Sequence, residues 1–217
     1  MSKGPVYVTY GRMNPPTVGH IKLIQYMITL AAASNGSVIV YVSHTNDSKT
    51  RIRKDVSNVM VKVNKKQTGF TNPLLANNKV QYLNKIFTKN VIKQVTGKNV
   101  DVQISSSSSQ NPSIYAIMGQ LMKAYKHRDV HFVVGSDRLE SFNKLSSMGV
   151  KLTGIPRSSN ASAPSATLAR SYAIKGDLEG FLKIMRSVNN NFRPNATDAE
   201  NLMKKIRRAY VNDEKNA

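Results

Sequence analysis

A short segment near the start of the sequence combines residue types that bind phosphate. It is Gly11-Arg-Met-Asn-Pro-Pro-Thr-Val-Gly-His20, and it follows the apolar run Val6–Tyr10. An apolar strand that ends at a glycine, turns through two prolines and restarts with a helical pattern predicts a helix beginning near Thr17. The first amides of a helix lack partners within the helix, and the helix dipole adds positive charge there. Thr17, the Gly19 amide and His20 are therefore predicted to form a phosphate site.

Two later segments carry polar residues that we expect near the first turn. Gly135-Ser-Asp-Arg138 follows the apolar run Val130–Val134, and Ser165-Ala-Thr-Leu-Ala-Arg170 begins another helical pattern. The carboxyl ends of parallel strands share one edge of a sheet, so Gly135–Arg138 is expected beside the first turn. Ser165 suits a helix cap. Asp137 has two open interpretations, a helix cap or a contact with ribose.

The elements that must position these residues alternate between strands and helices. Four apolar runs predict buried strands: Val6–Tyr10, Ser37–Val42, Val130–Val134 and Val150–Ile155. Helical spacing follows most of them, over Ile21–Ala32, Leu75–Phe87, Ile114–Met122, a stretch ending at about Met148, Ser165–Arg170, Leu178–Val188 and Thr197–Tyr210. Val91–Ile92 and Val100–Ile104 are both short strand patterns, of which one is expected to join the sheet. The first strand, helix and second strand make a βαβ unit.

Composition excludes several classes of chemistry. The chain has 217 residues and no cysteine, which excludes disulfides, zinc–thiolate sites and thiol nucleophiles. No apolar stretch is long enough to cross a bilayer, so we expect a cytoplasmic protein with no membrane partner. The formal charge of +20 favours a polyanionic partner such as nucleic acid or an acidic surface, although a general bias in surface composition is an open alternative.

The positive charge is concentrated in two places along the chain. The segment from His44 to Thr71 is long for a connection in a compact domain, and we interpret its basic part, at about residues 46–71, as an insertion or lid. The carboxyl-terminal pattern carries Lys204, Lys205, Arg207 and Arg208. Residues 1–186 are therefore predicted as the α/β domain and residues 187–217 as a basic helical tail. A solvated loop is the alternative interpretation of the insertion.

The three polar segments together resemble a known family. Gly11–His20 resembles the (H/T)xGH signature of the nucleotidyltransferase superfamily, and Ser165–Arg170 resembles its second signature, ISSTxxR. Gly135–Arg138 resembles its usual strand-end segment. The order and spacing are most similar to the cytidylyltransferase-like proteins of tailed phages. The resemblance implies a Rossmann-like α/β fold, with a parallel sheet of about five strands, helices on both faces and further helices at the carboxyl end.

The resemblance also implies an activity and a set of roles. Such enzymes transfer a nucleoside monophosphate from an NTP to a phosphorylated acceptor substrate and release pyrophosphate, with Mg²⁺. No cluster of residues in this sequence has a metal-ligand spacing, so we expect Mg²⁺ to arrive with the nucleotide phosphates. Thr17 and His20 would contact the triphosphate, Ser165 and Thr167 would face its outer phosphates, and Arg170 would pair with their charge. Lys79 would neutralise the triphosphate or the acceptor substrate. Further nucleotide contacts are implied for Gly11, Arg12, Asn14, Gly19, Gly135 and Asp137.

This sequence departs from the family signatures at two positions, and its other histidines and its serine run need separate interpretations. Thr17 stands where many members have histidine, and Ala166 replaces a serine of the second signature. His44 is predicted on the binding edge, near the base or the acceptor substrate, whereas His127 and His131 are interpreted as peripheral or packed. A catalytic serine among Ser105–Ser109 is not expected, because the sequence places no base beside them.

The alternative function is a weak or inactive member that binds nucleic acid, in a host cytoplasm or a virion.

Overall fold

The structure is a computed structural model, and it describes residues 3–45, 72–156, 165–186 and 191–211. The strands are β1 (Val6–Gly11), β2 (Ser37–Val42), β3 (Asp101–Ser106), β4 (Val130–Gly135) and β5 (Lys151–Ile155). The helices are α1 (Val18–Ser34), α2 (Ala76–Ile86), α3 (Lys89–Thr96), α4 (Ile114–Ala124), α5 (Ala166–Lys175), α6 (Leu178–Arg186) and α7 (Ala196–Val211). The predicted basic insertion, residues 46–71, lies outside the described residues.

All strand pairs are parallel, and the sheet has five strands in the order β3-β2-β1-β4-β5. The chain first builds outward from β1 through β2 to β3, then crosses to the other side of β1 for β4 and β5. This is the doubly wound arrangement, and the predicted Rossmann-like fold is confirmed. The first strand lies at the centre, where the direction of winding reverses.

Two apolar clusters cover the two faces of the sheet. On one face α1, α2 and α3 pack together with α5, α6 and α7, through residues such as Ile24, Leu83 and Phe181. On the other face α4 packs against β1 and β4 through residues such as Met118 and Phe132. Strand residues alternate between the faces, and because both faces are covered, the strands read as continuous apolar runs.

Helix α7 contributes to the first of these cores. Ala199, Leu202, Met203 and Ile206 are all buried in the same cluster as α1 and α2. Asp198, near the amino-terminal end of α7, forms an ion pair with Lys85 of α2, in which Oδ1 and Nζ are 2.5 Å apart. The apolar face predicted for the tail therefore covers part of the α/β core.

Two predicted elements are refined by the structure. One of the two short strand patterns joins the sheet, as expected: Val100–Ile104 overlaps β3. Val91 and Ile92 lie in α3, because Thr88 caps a short helix there and Gly97 ends it with a φ of 70°. A pair of apolar residues fits either period, so the caps decide the structure. The helix predicted to end at about Met148 is present as two 3₁₀ helices, Ser136–Arg138 and Glu140–Met148.

Candidate active site

The predicted phosphate residues lie at the carboxyl edge of the sheet, next to the point where the winding reverses. Gly11 at the end of β1 pairs in register with Val42 of β2, and β4 on the other side ends at Gly135. In doubly wound sheets the crevice at this point is where ligands bind. The residues that follow these three strands therefore define the candidate site.

The turn between β1 and α1 is fixed by a buried amide. Asn14 is 2% exposed, precedes a cis peptide bond to Pro15, and follows Met13, whose φ is 45°. The Asn14 side chain donates to Asn72 Oδ1 and accepts from the amide of Leu74 at 3.1 Å. These bonds tie the turn to the segment that precedes α2. The side chain of Asn14 thus has a positioning role here, and its predicted nucleotide contact stays a prediction.

Thr17 and His20 are brought together at the start of α1. Thr17 occupies the N-cap position and is 2% exposed. Its backbone N–H donates to Nδ1 of His20 at 3.1 Å, and its hydroxyl lies 3.0 Å from the same nitrogen. A backbone amide can only donate, so Nδ1 must accept, and the neutral ring carries its proton on Nε2. His20 is therefore oriented as an N–H donor at the first turn of the helix.

Gly19 lies between these two residues on the exposed surface of the first turn. A Cβ atom built at this position would have no heavy atom within 4 Å. Packing within the described part of the protein therefore does not require glycine here. A backbone that must be approached closely from outside does require it, and a phosphate on the first-turn amides is such a case.

Arg170 reaches the first turn from α5. Ser165 caps this helix by accepting from the amide of Leu168 at 3.1 Å. One turn further on, Nη1 of Arg170 donates to the carbonyl of Asn14 at 2.6 Å, and Nη2 donates to the Thr167 hydroxyl at 3.1 Å. Arg170 is 6% exposed, and its guanidinium bonds to groups beside the starts of both helices. The two sequence signatures are thus in direct contact.

Lys79 is buried beneath the same edge. Its exposure is 0%, and its ammonium donates to the carbonyls of Arg12 at 3.1 Å and Ser43 at 2.6 Å. These carbonyls follow β1 and β2, so Lys79 joins the ends of the two strands. Burial lowers the pKa of Lys79 to about 8. A neutral amine still has two N–H groups, enough to donate to both carbonyls. Protonation of Lys79 therefore adds positive charge but is not required for the two hydrogen bonds.

The remaining predicted residues lie around this centre. Gly11 ends β1, and Arg12 follows it with an exposed side chain. Gly135 is the N-cap of the first 3₁₀ helix, and Asp137 lies inside that helix with an exposed side chain. Asp137 occupies neither 3₁₀ N-cap position, since these are Gly135 and Leu139.

Two residues with a structural part in the site were not selected from the sequence. Asn72 is 4% exposed, and its side-chain amide donates to the backbone carbonyl of Thr45 and, at 3.2 Å, to the Thr45 hydroxyl. Ser107 is 3% exposed and contacts His44. An Asn-Pro pair before a helix was a visible signal for Asn72. Nothing distinguished Ser107 within its run of serines.

Across the described ranges, no group of three or more His, Asp or Glu residues is arranged to hold a metal ion. The donors at the edge are N–H groups and cations, which bind phosphate oxygens.

The chain is similar in fold to solved nucleotidyltransferases. A bifunctional NMN adenylyltransferase/ADP ribose pyrophosphatase from Francisella tularensis superposes with a TM-score of 0.58 and 17% identity, over 96% of this chain and 53% of that one. This chain therefore spans about half the length of that neighbour. No protein-family model matches the sequence, and no curated protein matches it.

Two further structures give weaker superpositions. A candidate nicotinate-nucleotide adenylyltransferase from Vibrio parahaemolyticus gives a TM-score of 0.49 at 17% identity, covering 92% of this chain and 99% of that one. Plasmodium falciparum nicotinic acid mononucleotide adenylyltransferase, solved with NaAD, gives 0.49 at 14% identity, covering 84% and 91%. The Francisella superposition defines the class, a Rossmann-like fold shared with an adenylyltransferase.

Proposed function

We propose that this protein is a nucleotidyltransferase that moves a nucleoside monophosphate from an NTP to a phosphorylated acceptor substrate. The observation that carries the proposal is the contact between the two signatures, in which Arg170 of α5 donates to the Asn14 carbonyl at 2.6 Å. This contact places two helix starts around one cation. Adenylyl and cytidylyl transfer both fit, since none of the described contacts selects a base.

The reaction forms one bond and breaks one. An oxygen of the acceptor substrate attacks the α-phosphorus of the NTP, the bond from that phosphorus to the bridging oxygen breaks, and pyrophosphate leaves with its magnesium ion. An ionised phosphate oxygen needs no general base, so catalysis consists of alignment and charge stabilisation. This requirement agrees with a site made of N–H donors and cations.

Each half of the site supplies part of this stabilisation. Nε2–H of His20 and the amide of Gly19 would donate to phosphoryl oxygens as charge develops on them. Arg170 and the hydroxyls of Ser165 and Thr167 would bind the departing pyrophosphate. The magnesium ion enters with the NTP as part of the substrate. At the end of β4, Gly135 and Asp137 would contact the nucleoside, and Arg12 would close over the phosphates from the first turn.

Lys79 would act on the site from its buried position under the ends of β1 and β2. Its ammonium holds the carbonyls of Arg12 and Ser43, and it adds positive charge under the point where the acceptor substrate and the NTP would meet. Buried charge interacts strongly because little water screens it. We assign Lys79 a positioning and electrostatic role in place of direct contact, since its side chain is fully buried.

Pyrophosphate release tests the proposal. The protein should release pyrophosphate when given Mg²⁺, one of the NTPs and a member of a panel of phosphorylated acceptor substrates. Arg170→Met should remove this release, while His127→Ala, an exposed change before β4, should not. Silence over the whole panel, together with no nucleotide binding by calorimetry, would contradict the proposed activity.

The charge distribution favours a second function beside the first. Residues 3–45 and 72–100 contain no Asp or Glu, and the whole chain carries +20. Such a surface fits nucleic acid, bound through the basic insertion at residues 46–71 and through α7. Binding to DNA or RNA should then weaken steeply as salt rises, because counterions are released. Binding that is absent at low salt would exclude this function.

The place of action follows from the resemblance to phage-encoded cytidylyltransferase-like proteins. It favours the cytoplasm of a host cell, or a virion if the basic surface holds packaged nucleic acid. No described helix combines the length and the apolar composition needed to span a bilayer. Separating virions from host lysate and probing both fractions with an antibody would distinguish the two locations.

A further inference from the structure

A histidine and a serine meet at the carboxyl edge on the other side of β1 from β4. His44 follows β2, and Ser107 follows β3. The backbone N–H of His44 donates to Oγ of Ser107 at 2.9 Å, and Nδ1 of His44 lies 2.8 Å from the same oxygen. One hydroxyl therefore holds both the backbone and the ring of His44.

The distance resembles that of a serine nucleophile and its base, but the surroundings of Ser107 differ. Ser107 is 3% exposed, and its own amide donates to the carbonyl of Val42 at 2.9 Å. Its oxygen already accepts from the His44 amide. A nucleophile must be reached by its substrate, so a buried oxygen with these partners orients the ring instead.

Ser107 contacts one of the two ring nitrogens of His44. The Ser107 oxygen accepts the His44 backbone proton, and the same hydroxyl lies 2.8 Å from Nδ1 of the ring. A hydroxyl can donate or accept at Nδ1, and when it donates, the neutral ring carries its proton on Nε2. His44 itself is half-buried. In this tautomer it provides an N–H donor at the ends of β2 and β3.

The charge around His44 selects the chemical class of its ligand. Its backbone joins directly to Ser43, whose carbonyl accepts from the buried ammonium of Lys79 at 2.6 Å. The exposed Arg12 follows the neighbouring strand, and residues 3–45 and 72–100 contain no carboxylate side chain. An N–H donor in such a field favours an anion and repels a cation.

We infer that His44, held by Ser107, binds the phosphate group of the acceptor substrate on the β2–β3 side of the site. The inference rests on the proposed function, because it assigns the NTP to the side of β1, β4 and α5, where Thr17, His20 and Arg170 lie. The β2–β3 side of the same edge then remains for the second substrate. A phosphate there lies beside the end of β1, near the first turn of α1.

Histidine ring resonances provide the test. The chain has four histidines, so a ¹⁵N-labelled sample of the full protein gives a small set of ring signals that single variants assign. A non-hydrolysable ATP analogue with Mg²⁺ is added first, and ribose 5-phosphate or inorganic phosphate is titrated second. The first addition should move the His20 signals, and the second should move those of His44.

Four variants separate recognition from folding. His44→Ala and Ser107→Ala should each weaken ribose 5-phosphate binding about tenfold, the usual effect of losing a hydrogen bond to a charged group. His44→Gln, which keeps a donor, should recover most of that loss. Ser109→Ala changes an exposed serine of the same run and should leave binding unchanged.

The outcomes are distinct from those of the proposed function. If His44 signals remain unmoved by millimolar ribose 5-phosphate, inorganic phosphate and pyrophosphate, the inference is wrong, even when His20 responds to the nucleotide. If His44 responds and the nucleotide does not bind, the phosphate site stands and nucleotidyl transfer is wrong. Covalent labelling of Ser107 by a fluorophosphonate would overturn its positioning role.

Discussion

The two edges of the same sheet contain similar side chains in different surroundings. At the amino edge, Arg128 donates to the carbonyls of Gly4 at 2.6 Å and Pro5 at 3.1 Å. His131 packs on Tyr7 with ring centroids 5.1 Å apart. At this edge Arg128 and His131 therefore make structural contacts within the fold.

At the carboxyl edge, Arg170 also donates to a backbone carbonyl, whereas His20 accepts from the backbone amide of Thr17. The glycines show the difference. A Cβ at Gly36, on the amino edge, would lie 2.5 Å from the carbonyl oxygen of Pro5, whereas one at Gly19 would meet nothing within 4 Å. Glycine is required at position 36 because the backbone of Pro5 lies too close for a side chain. At Gly19, no described atom requires glycine, so the first turn of α1 is open to approach from outside.

The largest contrast should appear when the two histidines are removed. His20→Ala should lower kcat about 100-fold to 1000-fold, as loss of a donor to developing charge does in other enzymes. His131→Ala should leave kcat near that of the wild type. Steady-state pyrophosphate release measures both. Equal effects of the two changes would show that the edges do not differ in function.

The two glycines should differ in stability. Gly36→Ala should lower the free energy of unfolding by about 1–3 kcal/mol, because a backbone atom must move. Gly19→Ala should leave it unchanged or raise it by up to about 0.5–1 kcal/mol, since alanine favours helices, while nucleotide affinity falls about tenfold. Urea unfolding and calorimetry measure these quantities. A Gly19→Ala protein with normal affinity would remove the argument for close approach.

Lys79 should give opposite pH dependences for stability and binding. Its pKa falls from 10.5 to about 8 on folding, so the folded state binds its proton more weakly than the unfolded state. The free energy of unfolding should therefore rise between about pH 8 and 10.5, relative to Lys79→Met. Nucleotide affinity should fall about tenfold over the same step, because the buried charge is lost. Parallel changes in both quantities would contradict the electrostatic role.

The smallest difference should separate two exposed carboxylates. Asp137→Asn should weaken nucleotide binding a few-fold, about what one lost hydrogen bond gives, if Asp137 contacts ribose. Asp129→Asn removes the ion pair with Lys151 at the amino edge, and neither melting temperature nor affinity should change. A matched calorimetric titration compares them. Unchanged affinity in both variants would leave Asp137 outside the nucleotide site.

The fold was predictable where one short segment contains the whole signal. The β1 strand, the turn and the start of α1 are contiguous, so the placement of Thr17 and His20 at a helix start could be inferred. The partner of Ser107 could not, because His44 lies far away in sequence and any of five neighbouring serines fitted equally well. The same limit applies to the amide pair of Asn14 and Asn72.

What the sequence left open concerns weak or ambiguous patterns. Val91–Ile92 fits a strand or a helix equally well, and only the Thr88 cap and Gly97 decide. The apolar spacing of α7 predicted a helix, but spacing alone does not reveal which surface covers it. That surface is the core shared with α2, and only the folded chain brings these residues together.

The hydrogen bonds from Asn72 to Thr45 have a consequence for how the chain can vary. Thr45 and Asn72 flank residues 46–71, so the chain leaves and re-enters the described part of the fold at one point. When two bonded residues close a connection in this way, the entropy of closure changes slowly with the length of the connection. The number of residues between Thr45 and Asn72 can therefore change across related sequences while β1, β2 and α2 keep their positions. Length variation at this connection is expected to leave the fold unchanged.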